Sequence, residues 1–340
     1  MTDDFSWGHT LTSLLSGKDL SEHEASAAMT EIMEGAATPA QIAGFIVALR
    51  AKGETTDEIA GLVRTMRSFG EHVNVAGEVL DTCGTGGDRA GTFNVSTAAA
   101  FVCAGAGVKV AKHGNRAASS RCGSADVLEA MGVKIDLPPH AVETCIETAG
   151  IGFCFAPVFH PAMRHAGGTR RELGIATIFN FLGPLTNPAG ARHQALGISD
   201  ERMLHKMVDA LGHLGSAHVV AFQGDRGLDE LSLSGPSRVV ELKGDEIKEW
   251  TIDPAELGIA SAPLEAVAGG TPEENAAAIR RVFSGEQGAG RDIVVLNAAA
   301  GFLAADRASD MAAGVALAKD SIDSGGAARA LEGLIAASNG

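Results

Sequence analysis

From about residue 78 onward, short β-leaning runs alternate with helix-like stretches, and that alternation leaves few folds open. The runs are EVLDTC, GVKVAK, GVKID, GFCFA, QALGIS, AHVVAF and DIVVLN. Between them lie stretches with helical character at 94–105, 139–149, 201–213 and 273–284. Strands separated by helices return to a sheet in the same direction, so the pattern predicts a largely parallel α/β sheet. SRVVELKGDEIKEWTI reads as a β-hairpin turning near Lys243 to Asp245, and Ala-rich helices are expected after Asn297. The stretch from Pro161 to about Pro188, with RHAGGTRRELG in it, reads as helix or loop returning to the N-terminal part of the chain.

The first seventy residues follow a different rule. Ser21 with Glu24, Thr38 with Gln41 and Thr55 with Glu58 each have the spacing of a capping box, in which a hydroxyl and a carboxyl or amide satisfy backbone N–H groups reciprocally. Pro39 suits a first helical turn, and Gly35, Gly53 and Gly70 stand where helices stop. Three helices of three to four turns are predicted, after a shorter one near His9 to Leu15. In the second of the three, Ile42, Ala43, Phe45, Ile46 and Leu49 form an apolar stripe too broad for a helix lying on water. That stripe belongs in a small bundle or a dimer contact.

The glycine-rich stretch DTCGTGGDRAGTFNVST, starting at Asp81, joins a strand to a helix N-terminus. Such a junction offers unpaired N–H groups and the positive end of a helix dipole to an anion. It is neither a P-loop, since no G-K-[ST] follows, nor a dinucleotide fingerprint, since Arg89 stands where the third glycine belongs. Asp88 would repel a phosphate unless it meets a sugar hydroxyl or the water of a metal ion, which suggests a sugar phosphate with Mg2+. A second strand runs into KHGNRAASSRCGSAD, where Lys112, Arg116 and Arg121 stand beside Ser119, Ser120 and Ser124. Cations beside hydroxyls and amides suit phosphate oxygens, and two such junctions are expected at one sheet edge.

Asp229 and Glu230 are adjacent carboxylates of the kind that ligate Mg2+ alongside phosphate. Arg170 or Arg171 suits a carboxylate clamp, and spacing does not choose between them. His160 and His165, five apart, do not share a helical face and are read as structural. The 27 Lys plus Arg against 42 Asp plus Glu, a net charge of −15, argue against a general nucleic-acid or anionic-membrane surface. Aromatic content of 4% leaves little for base stacking. No apolar run has the length of a membrane helix, and no export signal is read at the N-terminus. Five scattered cysteines without C-x-x-C spacing fit a reducing cytoplasm.

DTCGTGGD, NVST, KHGNRAASS, GSAD, RRELGIATIFNFLGPLTNP and LDE, in this order, resemble the anthranilate phosphoribosyltransferase family, and the resemblance covers essentially the whole chain. It implies transfer of phosphoribosyl from phosphoribosyl pyrophosphate (PRPP) to the amine of anthranilate, with release of pyrophosphate, in tryptophan biosynthesis. It also implies a small N-terminal helical domain and a larger α/β domain with a mostly parallel central sheet, the active site in the hinge cleft, and a homodimer paired through the helical domain. The expected boundaries are 1–72, joined by about 165–190, for the first domain, and 73–164 with 191–340 for the second.

Position by position, the resemblance implies that Gly84, Gly87, Asp88, Thr92, Asn94, Val95, Ser96 and Thr97 contact PRPP. Lys112, His113, Gly114, Asn115, Arg116, Ala117, Ala118, Ser119, Ser120 and Ser124 would line the rest of that pocket. Gly84, Asn115 and Arg170 would hold anthranilate, with Arg170, rather than Arg171, facing its carboxylate and His113 nearby. Ser96, Asp229 and Glu230 would hold Mg2+. An aryl amine is neutral at pH 7, so no general base is assigned. Two other readings are weighed: a pyrimidine-nucleoside phosphorylase, whose glycine loop also precedes a G-x-x-D-x-L-E run like Gly123 to Glu129, and a non-catalytic nucleic-acid-binding relative.

Overall fold

The structure, a computed structural model, describes residues 5–117 and 121–340. Four helices open the chain: α1 (Trp7–Leu15), α2 (Glu22–Met33), α3 (Pro39–Lys52) and α4 (Thr56–Ser68). All three capping boxes form, with the hydroxyls of Ser21, Thr38 and Thr55 accepting from the backbone N–H groups of Glu24, Gln41 and Glu58. Gly53 ends α3 at φ 92°, a conformation a side chain would resist. Ile42, Phe45, Ile46 and Leu49 are buried within the bundle.

The sheet follows, built from β1 (Leu80–Gly84), β2 (Val110–Gly114), β3 (Ile151–Phe155), β4 (His193–Gly197), β5 (His218–Gln223), β6 (Ser237–Lys243) and β7 (Glu246–Ile252). Its order is β3-β2-β1-β4-β5-β6-β7; the first five strands in that order are parallel, and the hairpin β6–β7 adds antiparallel at one edge. The order reverses direction between β1 and β4, where Gly84 pairs with Gly197. Ligands of open α/β sheets collect outside the carboxyl ends of the strands at such a reversal.

Helices cover both faces. Those between strands are α5 (Val95–Gly105), α6 (Ser124–Ala130), α7 (Pro139–Ala149), α8 (Ala156–Phe159), α9 (Arg164–Leu173), α10 (Phe179–Leu185) and α11 (Glu201–His213); α12 (Pro272–Phe283), α13 (Ala289–Ala304), α14 (Met311–Asp323) and α15 (Gly326–Asn339) close the chain. On one face α5, α7, α13 and α15 bury Phe101, Ile146, Val294 and Leu331 against the strands. On the other, the bundle and α11 share one apolar core with β4 and β5, in which Phe45, Leu62 and Met66 join Leu196, Met207 and Val219. The 161–188 stretch packs back on the bundle, with α9 against α2 and α3 and α10 against α4.

Two of the expected strands are not strands. DIVVLN lies inside α13, where every residue from Ile293 to Ala304 is buried, so the helical periodicity of its apolar residues vanishes and a β-like run remains. The closing helices accordingly begin at Ala289 rather than after Asn297. GVKID, residues 132–136, is extended chain outside the sheet, anchored by the Ser338 hydroxyl accepting from the Lys134 N–H at 3.1 Å.

Candidate active site

The two glycine-bearing junctions leave β1 and β2 at the same sheet edge and line one cavity of about 560 Å3. After β1 the chain turns through Gly86, Gly87 and Gly91 at positive φ, and Arg89 shares that left-handed region at φ 57°. A non-glycine residue held there is strained backbone that the surrounding structure must over-determine. The hairpin turn after β5 brings Asp229 and Glu230 across from β1. A Cβ at Gly84 would stand 2.2 Å from Asp229 Oδ2, and one at Gly197 would stand 1.7 Å from the Asp229 carbonyl oxygen. The paired glycines at the strand reversal are what let the acidic turn come so close.

Three carboxylates crowd this corner. Asp229 Oδ2 accepts from the Gly86 N–H at 2.7 Å, and Glu230 Oε1 accepts from the Ser96 N–H at 3.0 Å. Burial pushes both carboxyls well above the ordinary range, and the neighbouring charges of Asp88 on Asp229 and of Asp229 on Glu230 push them further. The charge facing them is Lys112, itself buried, with Nζ donating to the Thr82 carbonyl at 2.5 Å; burial lowers its pKa while Asp81 and Glu230 raise it. Asp81, fully buried beneath, accepts from Asn187 Nδ2 at 2.8 Å and from the His113 N–H at 3.2 Å. Carboxylate oxygens gathered beside the turn after β1 are the donor type that a hard divalent cation takes. The Ser96 hydroxyl lines the same cavity.

Most donor-pocket residues implied by the resemblance lie on this wall: Gly84, Gly87, Asp88, Thr92, Asn94, Ser96, Thr97, Lys112 to Ala117, and Ser124. Ala118, Ser119 and Ser120 lie outside the described residues. Val95 does not line the cavity; its side chain is fully buried beneath α5 and its N–H is taken by the Phe93 carbonyl at 2.7 Å. Asn94 reaches the wall with its amide already engaged, Nδ2 donating to the Cys122 carbonyl at 3.2 Å and Oδ1 accepting from Asn275 at 2.9 Å, so it ties loops together. Thr97 Oγ1 is buried without a partner.

One organiser escaped the sequence reading. Asp126, at the start of α6, accepts from the backbone N–H groups of Ala117 at 3.0 Å and Gly123 at 2.8 Å and pairs with Arg116 at 2.9 Å. Burial works to raise its carboxyl, and these donors outweigh it and hold it below the usual range. Its place in GSAD was visible, but its partners were not. Ser124 likewise hydrogen-bonds the Asn115 backbone, at 3.2 Å to the N–H and 3.3 Å to the carbonyl.

A second cavity, of about 510 Å3, opens off the first between the sheet edge and α9 and α10. Gly84, His113, Asn115 and Arg170 line both. Its other cations are Arg164 and Arg171, and no Asp or Glu among the described residues lines it. Arg170 is half-buried, its guanidinium 5.3 Å from the Phe179 ring centre, with no ion pair among the described residues; burial lowers its pKa. His113 and His160 meet edge to face at 5.1 Å, and burial drives their pKa values down to about 3 and about 4, so both rings are neutral. His113 Nδ1 sits 3.1 Å from the Gly183 carbonyl, which fixes the proton on that nitrogen. His160, read as structural, is part of this cavity wall, whereas His165 packs against Gly35 of the bundle. The cavity's positive charge is therefore that of its arginines alone.

With this geometry in view, similarity to known proteins can be read. The model of the glycosyl transferase family a/b domain matches residues 76–328, and that of its helical bundle domain matches residues 9–70. Anthranilate phosphoribosyltransferase of Chloroflexus aggregans is 53% identical over 332 residues, covering 97% of this chain and 98% of that one. The crystal structure of anthranilate phosphoribosyltransferase from Thermus thermophilus superposes with a TM-score of 0.92 at 47% identity, over 97% of this chain and 99% of that one. The Saccharomyces cerevisiae enzyme, solved in complex with PRPP and Mg, superposes with a TM-score of 0.89 at 28% identity, over 99% of both chains. This chain belongs to the anthranilate phosphoribosyltransferase family, carrying both the helical bundle and the a/b domain of the glycosyl transferases.

Proposed function

We infer that the chain transfers the phosphoribosyl group of PRPP to the amine of anthranilate, yielding N-(5-phosphoribosyl)anthranilate and pyrophosphate, a step of tryptophan biosynthesis. The observation that carries this reading is the junction of two unlike cavities. One is rich in amides, acids and a lysine; the other, among the described residues, has no acid and holds an arginine without an ion pair. The first suits a doubly phosphorylated sugar with its metal, the second an aromatic carboxylate.

Cleavage of the C1–pyrophosphate bond develops positive charge on the ribose and negative charge on the leaving group. Mg2+, when bound, would offset the diphosphate charge, and Asp229, Glu230 and Ser96 would hold it. The N–H groups of the turn after β1 and Lys112 orient the sugar phosphate. Arg170 takes the acceptor's carboxylate, which directs the neighbouring amine toward the shared wall at Gly84 and Asn115. The amine is already a neutral nucleophile, so rate comes from positioning and electrostatics rather than from a base.

Phosphorolysis of pyrimidine nucleosides and nucleic-acid binding, the two other readings, draw no support from the relatives. A homodimer through the bundle is the assembly this reading favours, supported by Leu15, 80% exposed at the end of α1, and Val47, 39% exposed on α3. Light scattering at the mass of one chain would refute it. A cytoplasmic setting accords with five buried cysteines, none of them in a disulfide among the described residues; no described helix is long and apolar enough to cross a membrane. The deciding assay combines purified protein, PRPP, Mg2+ and anthranilate and follows anthranilate fluorescence. Loss of signal that requires all three small molecules is expected, and a stable signal would overturn the assignment.

A further inference from the structure

We propose that Ser199, in the turn between β4 and α11, is a positioning residue that aims the Gly87 N–H into the donor cavity. The inference rests on the reading of that cavity as the PRPP site. Four hydrogen bonds define the local order. The Ser199 N–H donates to Thr85 Oγ1 at 3.1 Å, which makes the threonine oxygen an acceptor there. Thr85 Oγ1 lies 3.2 Å from Ser199 Oγ, and Ser199 Oγ donates to the Gly86 carbonyl at 2.7 Å. A carbonyl only accepts, so the serine proton lies on Gly86, and the threonine proton has two acceptors in reach, the serine oxygen and the same carbonyl at the longer distance of 3.3 Å.

The consequence follows from peptide geometry. In a trans peptide the C=O and the N–H of the same plane point in opposite directions, and no peptide among the described residues is cis. Ser199 draws the Gly86 carbonyl toward the β4–α11 turn, so the N–H of that plane, which belongs to Gly87, faces the other way. On the preceding plane, the Gly86 N–H is already committed to Asp229 Oδ2. Gly86 is thus gripped on both sides, at φ 69°, and Gly87 follows at φ 83°. Two consecutive residues in that region have little intrinsic preference for one peptide orientation over its flip. Ser199 supplies the preference. Its own position is fixed by the next residue, since Asp200 caps α11, accepts from the Arg202 N–H at 3.1 Å and pairs with Arg50 of α3.

The test uses the full chain with Ser199→Ala and Ser199→Thr. For Ser199→Ala the PRPP KM is expected to rise about fivefold, the scale of one hydrogen bond, with the anthranilate KM and the melting temperature unchanged. Ser199→Thr, which keeps the hydroxyl, is expected to restore the PRPP KM. An unchanged PRPP KM, an equal rise in both KM values, or no rescue by threonine overturns the proposal. Calorimetric titration of PRPP with Mg2+, in the absence of acceptor, separates this from the activity assignment. A wild-type chain that binds PRPP without transferring it removes the assigned reaction, and the same fivefold weakening in Ser199→Ala then still supports the positioning role. A wild-type chain that gives no heat removes both.

Discussion

The two cavities meet at one wall and solve opposite electrostatic problems. On the donor side, Asp88, Asp229 and Glu230 are held together where burial and mutual repulsion raise the carboxyls of Asp229 and Glu230. On the acceptor side, three arginines face a cavity to which the described residues contribute no carboxylate, in a protein whose net charge is −15. The contrast teaches that each side is incomplete in a different sense. The donor side sets carboxylates among cations, which suits a phosphate together with a metal ion; the acceptor side offers arginines and, among the described residues, no carboxylate, which suits an anionic substrate.

The strongest blow to this contrast is on the donor side. Asp229→Asn is expected to lower kcat/KM about a hundredfold, on the scale of losing one preorganised electrostatic contact, and to weaken its dependence on Mg2+ concentration. Steady-state rates across a Mg2+ series check this, and an unaltered Mg2+ dependence would separate Asp229 from the metal. On the acceptor side, Arg170→Ala is expected to raise the anthranilate KM by about 10- to 100-fold, the range for a hydrogen-bonded charge pair, with a smaller change in kcat and none in the PRPP KM. Arg171→Ala sharpens the same point. Arg171 is exposed and unpaired among the described residues, so its KM change should stay within about twofold; a change as large as that of Arg170 would mean the sequence motif had been assigned to the wrong arginine.

The smallest effect belongs to the seam outside both cavities. Burial pushes the Asp200 carboxyl up, but hydrogen bonds from Arg202 and Arg50 outweigh it and bring it down to about 2 from an ordinary 3.8. A group depressed on folding adds stability that is complete above its unfolded value and is lost as the pH falls through the folded one. Asp200→Asn should therefore cost about 1 kcal/mol at pH 7, and the gap between variant and wild type should narrow between pH 4 and pH 2. Urea titrations at pH 7, 4 and 3 measure it, and a gap that is constant with pH would assign the loss to packing.

What the sequence made legible follows from the range over which each signal acts. Capping boxes are settled within four residues, and Ser21, Thr38 and Thr55 all behave as their spacing requires. Glycine turns at strand ends are equally local, so the meeting of the loops after β1 and β2 at one edge could be expected from the α/β alternation. DIVVLN misleads because a helix buried on every side carries no polar face to mark its period. Asn94 and Asp126 were illegible in part for another reason. Their hydrogen-bond partners, Asn275 and the N–H groups of Ala117 and Gly123, lie where only the folded chain brings them. Ser199 carried no signal at all, since a lone serine after a strand says nothing of the carbonyl it meets 113 residues away.

The shared core between the bundle and the α11 face of the sheet bears on how the protein can be divided. Family similarity falls into two blocks that part near residue 70, which invites cutting the gene there. Such a cut would strip Phe45, Leu62 and Met66 from Leu196, Met207 and Val219 and hand both fragments a raw greasy face. The segments can be told apart on paper, yet each serves as the other's interior, so evolution could trade substrates by editing the turns at the strand tips far more freely than by exchanging the bundle.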